Sequence, residues 1–179
     1  MNLILFDHPT IRQNLLPFTF TRPVASIRTG IFTVAEKWEK RLNTRASFST
    51  ERYLSKKYPL THTNDNLWIN GALCPDAELV NAVTHLQPGD ALCKHNTILA
   101  VRTPDDEVPE VITGKVTEYE QPITIIDQMW KIFQHNGAQI RLDFELIATG
   151  RNSAPLTDRH TRTYNEKNIF IEPGVKIWS

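Results

Sequence analysis

The chain has 179 residues, of which 40% are hydrophobic and 22% are charged, so its composition is typical of a globular protein with one core. Lysine plus arginine and aspartate plus glutamate each number 20, and this balance argues against broad electrostatic attraction to nucleic acid or an anionic membrane. The apolar runs are far shorter than the roughly 18 to 20 residues of a membrane span. We therefore expect no nucleic-acid or membrane partner, a cytoplasmic location, and only a local site for any anion.

The first half of the chain predicts strands that alternate with helices. The run LILF at 3–6 predicts a buried strand, because it is short, apolar and followed by Asp-His-Pro. Apolar residues recur at helical spacing over 29–42, where Thr33 and Glu36 match a capping box. The same reasoning predicts a short helix over 49–58, a strand over 67–74, a helix over 77–86 that Asp76 caps, and a strand over 97–102.

The second half predicts a polar surface loop over 103–114 and then two helices. The first covers 127–136 and ends at the Asn-Gly pair that follows, and the second covers 139–150 and ends at its glycine. Asp143 is expected to be a charge on the surface of the second helix. Five further side chains are expected in the core. They are Trp38, Trp68, Trp130 and two reduced cysteines, Cys74 and Cys93.

The C-terminal residues change in character. Residues 151–167 have almost no large apolar side chains and predict a linker. In the segment 168–179, Ile171 and Ile177 stand six residues apart around Glu-Pro-Gly-Val, which is the spacing of one coil of a hexapeptide-repeat left-handed β-helix. An ordinary strand, turn and strand produces the same spacing, so both interpretations stay open.

The loop after the first strand contains an unusual set of polar side chains. The stretch FTFTRPVASIRTG at 18–30 contributes Arg22 and Arg28, and Arg12 precedes it. In α/β sheets, ligands bind beyond the carboxyl ends of strands, and arginines with hydroxyl donors such as Thr21 suit a di- or triphosphate. The alternative is that the arginines are solvated, or pair with nearby acids such as Glu36.

Three other positions are candidates for ligand contact. Asp7 follows the first strand directly and offers a carboxylate to a metal ion or a ribose hydroxyl. Asn70 and Gly71 form a turn signal that can also present backbone N–H groups to a sugar or base. For this pair a purely structural turn is the alternative.

Four stretches together resemble one family, namely LLPFTFTRPVASIRTGIFTVAEKWEKRL, WINGALCPDAELVNAVTHLQPGDAL, LDFELIATGRNS and IFIEPGVKI. They resemble sugar-1-phosphate nucleotidyltransferases, and most closely a divergent bacterial branch of GlmU-like proteins. The resemblance implies a nucleotide-diphospho-sugar transferase-like, Rossmann-like α/β domain over 1–150 with a sheet flanked by helices. It also implies the linker 151–167, the start of a left-handed β-helix at 168–179, and a homotrimeric full-length protein.

The resemblance further implies transfer of a nucleotidyl group from a nucleoside triphosphate to a sugar-1-phosphate, with release of pyrophosphate. The expected substrates are UTP and N-acetylglucosamine-1-phosphate, and the expected cofactor is Mg²⁺. The implied site consists of Arg22 and Arg28 as catalytic residues, Asp7, Arg12, Thr21, Asn70 and Gly71 as substrate-binding residues, and Asp7 and Asp76 as metal ligands. Since at most one β-helix coil is present, acyl transfer is not expected from this chain.

The chain departs from the family pattern at two points. Typical members have a glycine-rich loop after the first strand, whereas this chain reads Asp-His-Pro-Thr-Ile-Arg there, with Arg12 at the position of the motif's arginine. The motif's lysine after proline is replaced, because Pro23 is followed by Val24. These departures leave a second hypothesis open, in which the domain is a catalytically inactive module that binds a ligand or assembles a β-helix acyltransferase.

Overall fold

A computed structural model describes residues 1–109 and 111–177, and a six-stranded sheet forms its centre. In chain order the strands of this sheet are β1 (Asn2–Phe6), β2 (Ala46–Ser49), β3 (Asn66–Asn70), β5 (Ala91–Lys94), β6 (Thr97–Thr103) and β7 (Val116–Glu118). A separate two-stranded sheet pairs β4 (Leu73–Cys74) with β8 (Thr124–Ile125). The helices are α1 (Pro9–Asn14), α2 (Val34–Leu42), α3 (Ala77–Thr84) and α4 (Met129–Ala148).

The spatial order of the central sheet is β2-β1-β3-β6-β5-β7. β1 runs parallel to both β2 and β3, β7 runs parallel to β5, and β6 is antiparallel to its two neighbours. The sheet is therefore mixed but mostly parallel, as expected for an α/β nucleotidyltransferase-like fold. Because β1, β2 and β3 point the same way, the residues that follow them meet at one edge of the sheet, here called the carboxyl edge.

Local sequence signals explain where two of the helices begin. Thr33 accepts a hydrogen bond from the backbone N–H of Glu36, and the Glu36 carboxylate accepts one from Thr33 N, so the predicted capping box is confirmed at the start of α2. The predicted Asp76 cap is likewise present at the start of α3. The fully buried Trp38 of α2 donates its indole N–H to the carbonyl of Leu73 at 2.8 Å, which joins the helix to β4.

The helix predicted over 49–58 is wrong. Strand β2 ends there at Ser49, and a single 3-10 turn, Arg52–Leu54, follows it. Strand β2 lies at the edge of the sheet, and its one buried residue is the polar Ser47. Its sequence, Ala-Ser-Phe-Ser, therefore has little apolar pattern to predict a strand. Strands β5 and β7 were also absent from the predicted elements.

The two helices predicted over 127–150 form one continuous helix, α4. The Asn136-Gly137 pair is not a stop signal here, because the Asn136 carboxamide accepts a hydrogen bond from Gly30 N at 2.7 Å and so serves a tertiary contact. The expectation that Asp143 is a surface charge is wrong, since Asp143 is only 3% exposed. Trp130 was expected in the core but is half exposed, whereas Trp38 and Trp68 are fully buried as predicted.

The C-terminal segment has no strand over 169–177, where the structure gives a turn and irregular backbone. Its backbone contacts the start of the linker, because Ala154 N donates to the carbonyl of Ile171 at 2.8 Å. The β-helix coil and the boundaries 1–150, 151–167 and 168–179 stay predictions, and residues 178–179 lie outside the described part of the chain. None of the described helices combines the length and apolar character needed to span a membrane.

Candidate functional site at the carboxyl edge of the sheet

Arg12 is the centre of a buried hydrogen-bond network at the carboxyl edge. Its guanidinium donates to Asp7 Oδ2 at 2.8 Å, to the carbonyl of Thr19 at 2.5 Å and to Tyr53 Oη at 2.9 Å. A longer hydrogen bond of 3.3 Å reaches the carbonyl of Arg22. Arg12 lies on α1, so it fastens the loop after that helix to the ends of β1 and β2. In this geometry Arg12 uses its donors on the protein itself.

Asp7 accepts hydrogen bonds from three separate segments. Its Oδ1 accepts from Val24 N at 2.8 Å, and its Oδ2 accepts from Thr50 Oγ1 at 2.6 Å and from Arg12. Burial raises the pKa of the Asp7 carboxyl, and the hydrogen bonds from Thr50 and Val24 together with the charge of Arg12 offset part of that rise. Asp7 therefore ties β1, β2 and the loop together, and both of its oxygens are occupied.

Arg22 differs from Arg12 in that its side chain is exposed. Its guanidinium makes no hydrogen bond or ion pair with the described residues, although its backbone carbonyl is held by Arg12. Thr21, directly before it, is exposed as well. The network thus presents an unpaired cation and a hydroxyl on a backbone that is fixed next to the carboxyl edge.

Arg28 lies further along the loop, six residues before α2 begins at Val34. Its side chain is 55% exposed, donates to the carbonyl of Ile31 and stands 3.5 Å from the Glu36 carboxylate. One alternative from the sequence, an ion pair with Glu36, is therefore present, while Glu39 lies 3.9 Å from Arg45 instead. An exposed pair of this kind is weak, so Arg28 can still exchange Glu36 for an anionic ligand.

Asn70 and Gly71 lie buried at the end of β3. The Asn70 carboxamide accepts from Ala72 N at 3.1 Å and donates to the carbonyl of Ile98 at 3.3 Å, while Gly71 N donates to the carbonyl of Phe6 at 2.8 Å. A Cβ on Gly71 would lie 3.3 Å from Ala25 Cβ, so the loop packs directly on this glycine. The pair closes the turn and supports the loop in this structure.

Asp76 caps α3 and is the other carboxylate predicted to bind a metal. Its Oδ1 accepts from Leu79 N at 2.8 Å. Across 1–109 and 111–177, no group of three or more histidine, cysteine, aspartate and glutamate side chains is arranged to hold a metal ion. With respect to Mg²⁺, Asp7 does not fit as a ligand while Arg12 and Thr50 occupy it, whereas Oδ2 of Asp76 accepts no hydrogen bond from residues 1–109 and 111–177.

A buried ion pair that the sequence reasoning missed holds the far end of the loop. Lys37 Nζ donates to Asp143 Oδ1 at 2.5 Å, and both side chains are almost fully buried. Asp143 Oδ2 also accepts from Ile31 N at 2.8 Å and from Phe32 N at 3.2 Å, which docks the loop on α4. The sequence contains a signal for this pair, because Lys37 lies between the apolar positions of an amphipathic helix and Asp143 lies among apolar residues. Both positions indicate that these two charges are buried.

Comparison of the chain with known protein families finds one match. A family model described as sugar nucleotidyl transferase matches residues 3–152 of the chain. The match covers the Arg12 network, the whole loop and α4, and it ends before the C-terminal segment. A search of curated proteins finds no match. Since the family model covers most of its length, the chain belongs to the sugar nucleotidyl transferase family.

Proposed function

We propose that the domain transfers a nucleotidyl group from UTP to N-acetylglucosamine-1-phosphate. An oxygen of the sugar phosphate attacks the α-phosphorus and forms a new P–O bond. The bond between the α-phosphorus and the bridging oxygen to the β-phosphate breaks, and pyrophosphate leaves with that electron pair. The family match supports a sugar nucleotidyltransferase, and the choice of UTP and N-acetylglucosamine-1-phosphate rests on the resemblance of the sequence to GlmU-like proteins.

The observation that carries the proposal is the unpaired guanidinium of Arg22 beside the carboxyl edge. Phosphoryl-transfer chemistry needs positioned reactants and neutralised charge more than covalent help from the protein. Arg12 holds the backbone carbonyl of Arg22, so the backbone that carries this guanidinium is fixed beside the carboxyl edge while the guanidinium itself is available to a phosphate. Arg28 supplies a second cation once it leaves Glu36, and Thr21 offers a hydroxyl donor.

The remaining predicted residues fit this proposal as a framework. Asp7, Arg12, Asn70 and Gly71 hold the loop against the strand ends, so they position Thr21 and Arg22 for a substrate. A bound Mg²⁺ would neutralise charge on the phosphates. Asp76 is the protein carboxylate that can join it, through its open oxygen.

One observation favours the second candidate, a catalytically inactive binding or assembly module. Helix α1 begins at Pro9, three residues after the end of β1, in the place where typical members have a glycine-rich loop. Pro9 at the first position of α1 has no backbone N–H, and residues 7–12 contain no glycine that would let the backbone approach phosphates closely. In this candidate the full-length homotrimer uses the domain to bind a ligand or to assemble, and its chemistry takes place elsewhere.

The two candidates are separated by measuring turnover and binding on the same sample. Pyrophosphate release is followed with UTP, N-acetylglucosamine-1-phosphate and Mg²⁺, and calorimetry measures the heat of UTP binding. Release that requires both substrates supports the transferase. Binding of UTP with release at background level supports the inactive module, and the absence of both release and heat at millimolar UTP contradicts the nucleotide assignment.

A further inference from the structure

Helix α4 packs on the domain largely through polar side chains. Asn136, Gln139 and Asp143 follow one another at intervals of three and four residues, so they lie on one face of the helix. Gln139 and Asp143 are each only 3% exposed, and Asn136 and Asp143 accept hydrogen bonds from the loop backbone at Gly30 and Ile31. A surface helix ordinarily turns its apolar residues towards the core and its polar residues outwards. In α4, polar residues occupy much of the inward face.

A row of mostly apolar residues lies beside that inward face, about a quarter of a turn around the helix. The row, here called the α4 seam, advances by steps of three and four residues in alternation, and consists of Trp130, Phe133, Gly137, Ile140, Phe144 and Ile147. The first part of the seam is open, since Phe133 is 72% exposed, Trp130 51% and Ile140 41%. Phe144 and Ile147 are half-buried. Alternating steps of three and four residues are the spacing with which one helix packs along another.

The exposed end of the seam has the character of an interaction surface. Met129, which is 39% exposed, adds a further apolar side chain next to Trp130. Soluble proteins rarely leave several large apolar side chains together in water unless the surface binds a partner. Aromatic side chains contribute strongly to the free energy of such contacts, because each of them buries a large area. The seam therefore has the composition of a helix face that another helix covers.

We propose that the α4 seam packs against the α4 seam of a second copy of this chain. The seam is complementary to itself in shape, because the rings of Trp130 and Phe133 project from it and Gly137 leaves a gap, with nothing within 4 Å of a Cβ at that position. Two copies also approach each other without net repulsion, since the formal net charge of the chain is zero. The exposed charges beside the seam include both signs, with Arg141 and Glu145, so they favour neither a strongly acidic nor a strongly basic partner.

The size of the contact predicts a weak dimer. Helix α4 has 20 residues, and a helix of that length extends for about 30 Å. Two seams packed along this length, with the side chains that flank them, bury roughly 1,000 Å² in total, which is at the lower limit for a specific interface. We therefore expect the dimer to dissociate in the micromolar range. The contact uses none of the residues at the carboxyl edge, so it does not depend on the proposed function.

Sedimentation equilibrium of the chain, over a wide range of micromolar concentrations, tests the proposal. The wild type should pass reversibly from monomer to dimer as its concentration rises. Phe133→Lys should weaken the dimer by about 30-fold or more, which is the loss typical of a central interface residue, and Ile140→Lys should weaken it as well. Phe18→Lys is the matched control, because it adds the same charge at an aromatic residue that is 51% exposed and lies outside α4. It should leave the dissociation constant unchanged.

A measurement of folding separates loss of the contact from loss of the fold. Because Phe133 is mostly exposed, Phe133→Lys should unfold at the same urea concentration as the wild type when both are dilute enough to be monomeric. Ile140→Lys provides a second, independent change in the same seam. A wild type that stays monomeric at every concentration would overturn the proposal. Dimers or trimers that neither variant weakens would overturn it too, since the contact would then lie elsewhere on the chain.

Discussion

Arg12 and Asp7 form a buried ion pair, with 2.8 Å between Nη1 and Oδ2, underneath the loop that carries Arg22. Replacing Arg12 by Met leaves the Asp7 carboxylate buried without its cation and leaves the carbonyl of Thr19 without its donor. We expect Arg12→Met to lower the free energy of unfolding by about 3 kcal/mol at neutral pH. Urea denaturation of the variant and the wild type measures the loss.

The same variant predicts a pH dependence. The pKa of Asp7 is already above its usual value of 3.8, and removal of Arg12 raises it further. Between the unfolded and folded pKa values the folded variant binds more protons than the unfolded chain, so its stability falls as pH rises through that window. The loss relative to the wild type should therefore be smallest near pH 4 and largest at neutral pH. An equal loss at both pH values would contradict the role of Asp7.

Arg22→Ala is expected to lower nucleotidyl transfer by about 10²- to 10³-fold, because a charge donor in the transition state is removed. The melting temperature should stay within a few degrees, since the guanidinium has no partner among the described residues. Arg28→Ala should also lower transfer, but less strongly, because Arg28 is shared with Glu36. Arg45→Ala, at an almost fully exposed position, is the control. Unchanged release in Arg22→Ala would remove Arg22 from the reaction.

The sequence predicted β1 and the two capped helices α2 and α3, because these depend on local patterns. Both Arg12 and Arg22 are expected from the sequence to contact the ligand, Arg12 as a binding residue and Arg22 as a catalytic one. The fold shows that Arg12 is instead held by Tyr53 and Thr50, about 40 residues away in the chain. For the same reason the Asn136-Gly137 pair predicted a stop that a contact with Gly30 overrides. Local periodicity does not predict which distant residues a polar side chain will contact.

The buried pair of Lys37 and Asp143 predicts strong coupling between α2 and α4. Lys37→Met leaves the Asp143 carboxylate buried without its cation, and we expect a loss of about 3 to 5 kcal/mol. The double variant Lys37→Met/Asp143→Leu removes both charges, so its loss should be smaller than the sum of the two single losses. Denaturant unfolding of all four proteins gives the coupling energy, and additive losses would show that the pair is not a unit.

Two glycines give a matched pair of substitutions with opposite signs. Gly30 has a φ of +83°, and a Cβ there would lie 2.5 Å from Asp143 Oδ2 and 2.8 Å from the backbone of Gln139. A left-handed backbone alone costs a residue with a Cβ roughly 1 to 2 kcal/mol. Because the Cβ also clashes with these atoms, Gly30→Ala should lower the free energy of unfolding by more than that.

Gly137 lies in the middle of α4 with nothing within 4 Å of a Cβ, so Gly137→Ala should stabilise the helix by about 0.5 to 1 kcal/mol. Thermal unfolding of the two variants measures both effects. Because Gly30 N, Ile31 N and Phe32 N are all held by α4, Gly30→Ala should also weaken the docking of the loop and reduce protection of these three amides in hydrogen exchange. A stable Gly30→Ala variant with unchanged protection would show that α4 does not fix the loop that carries the arginines.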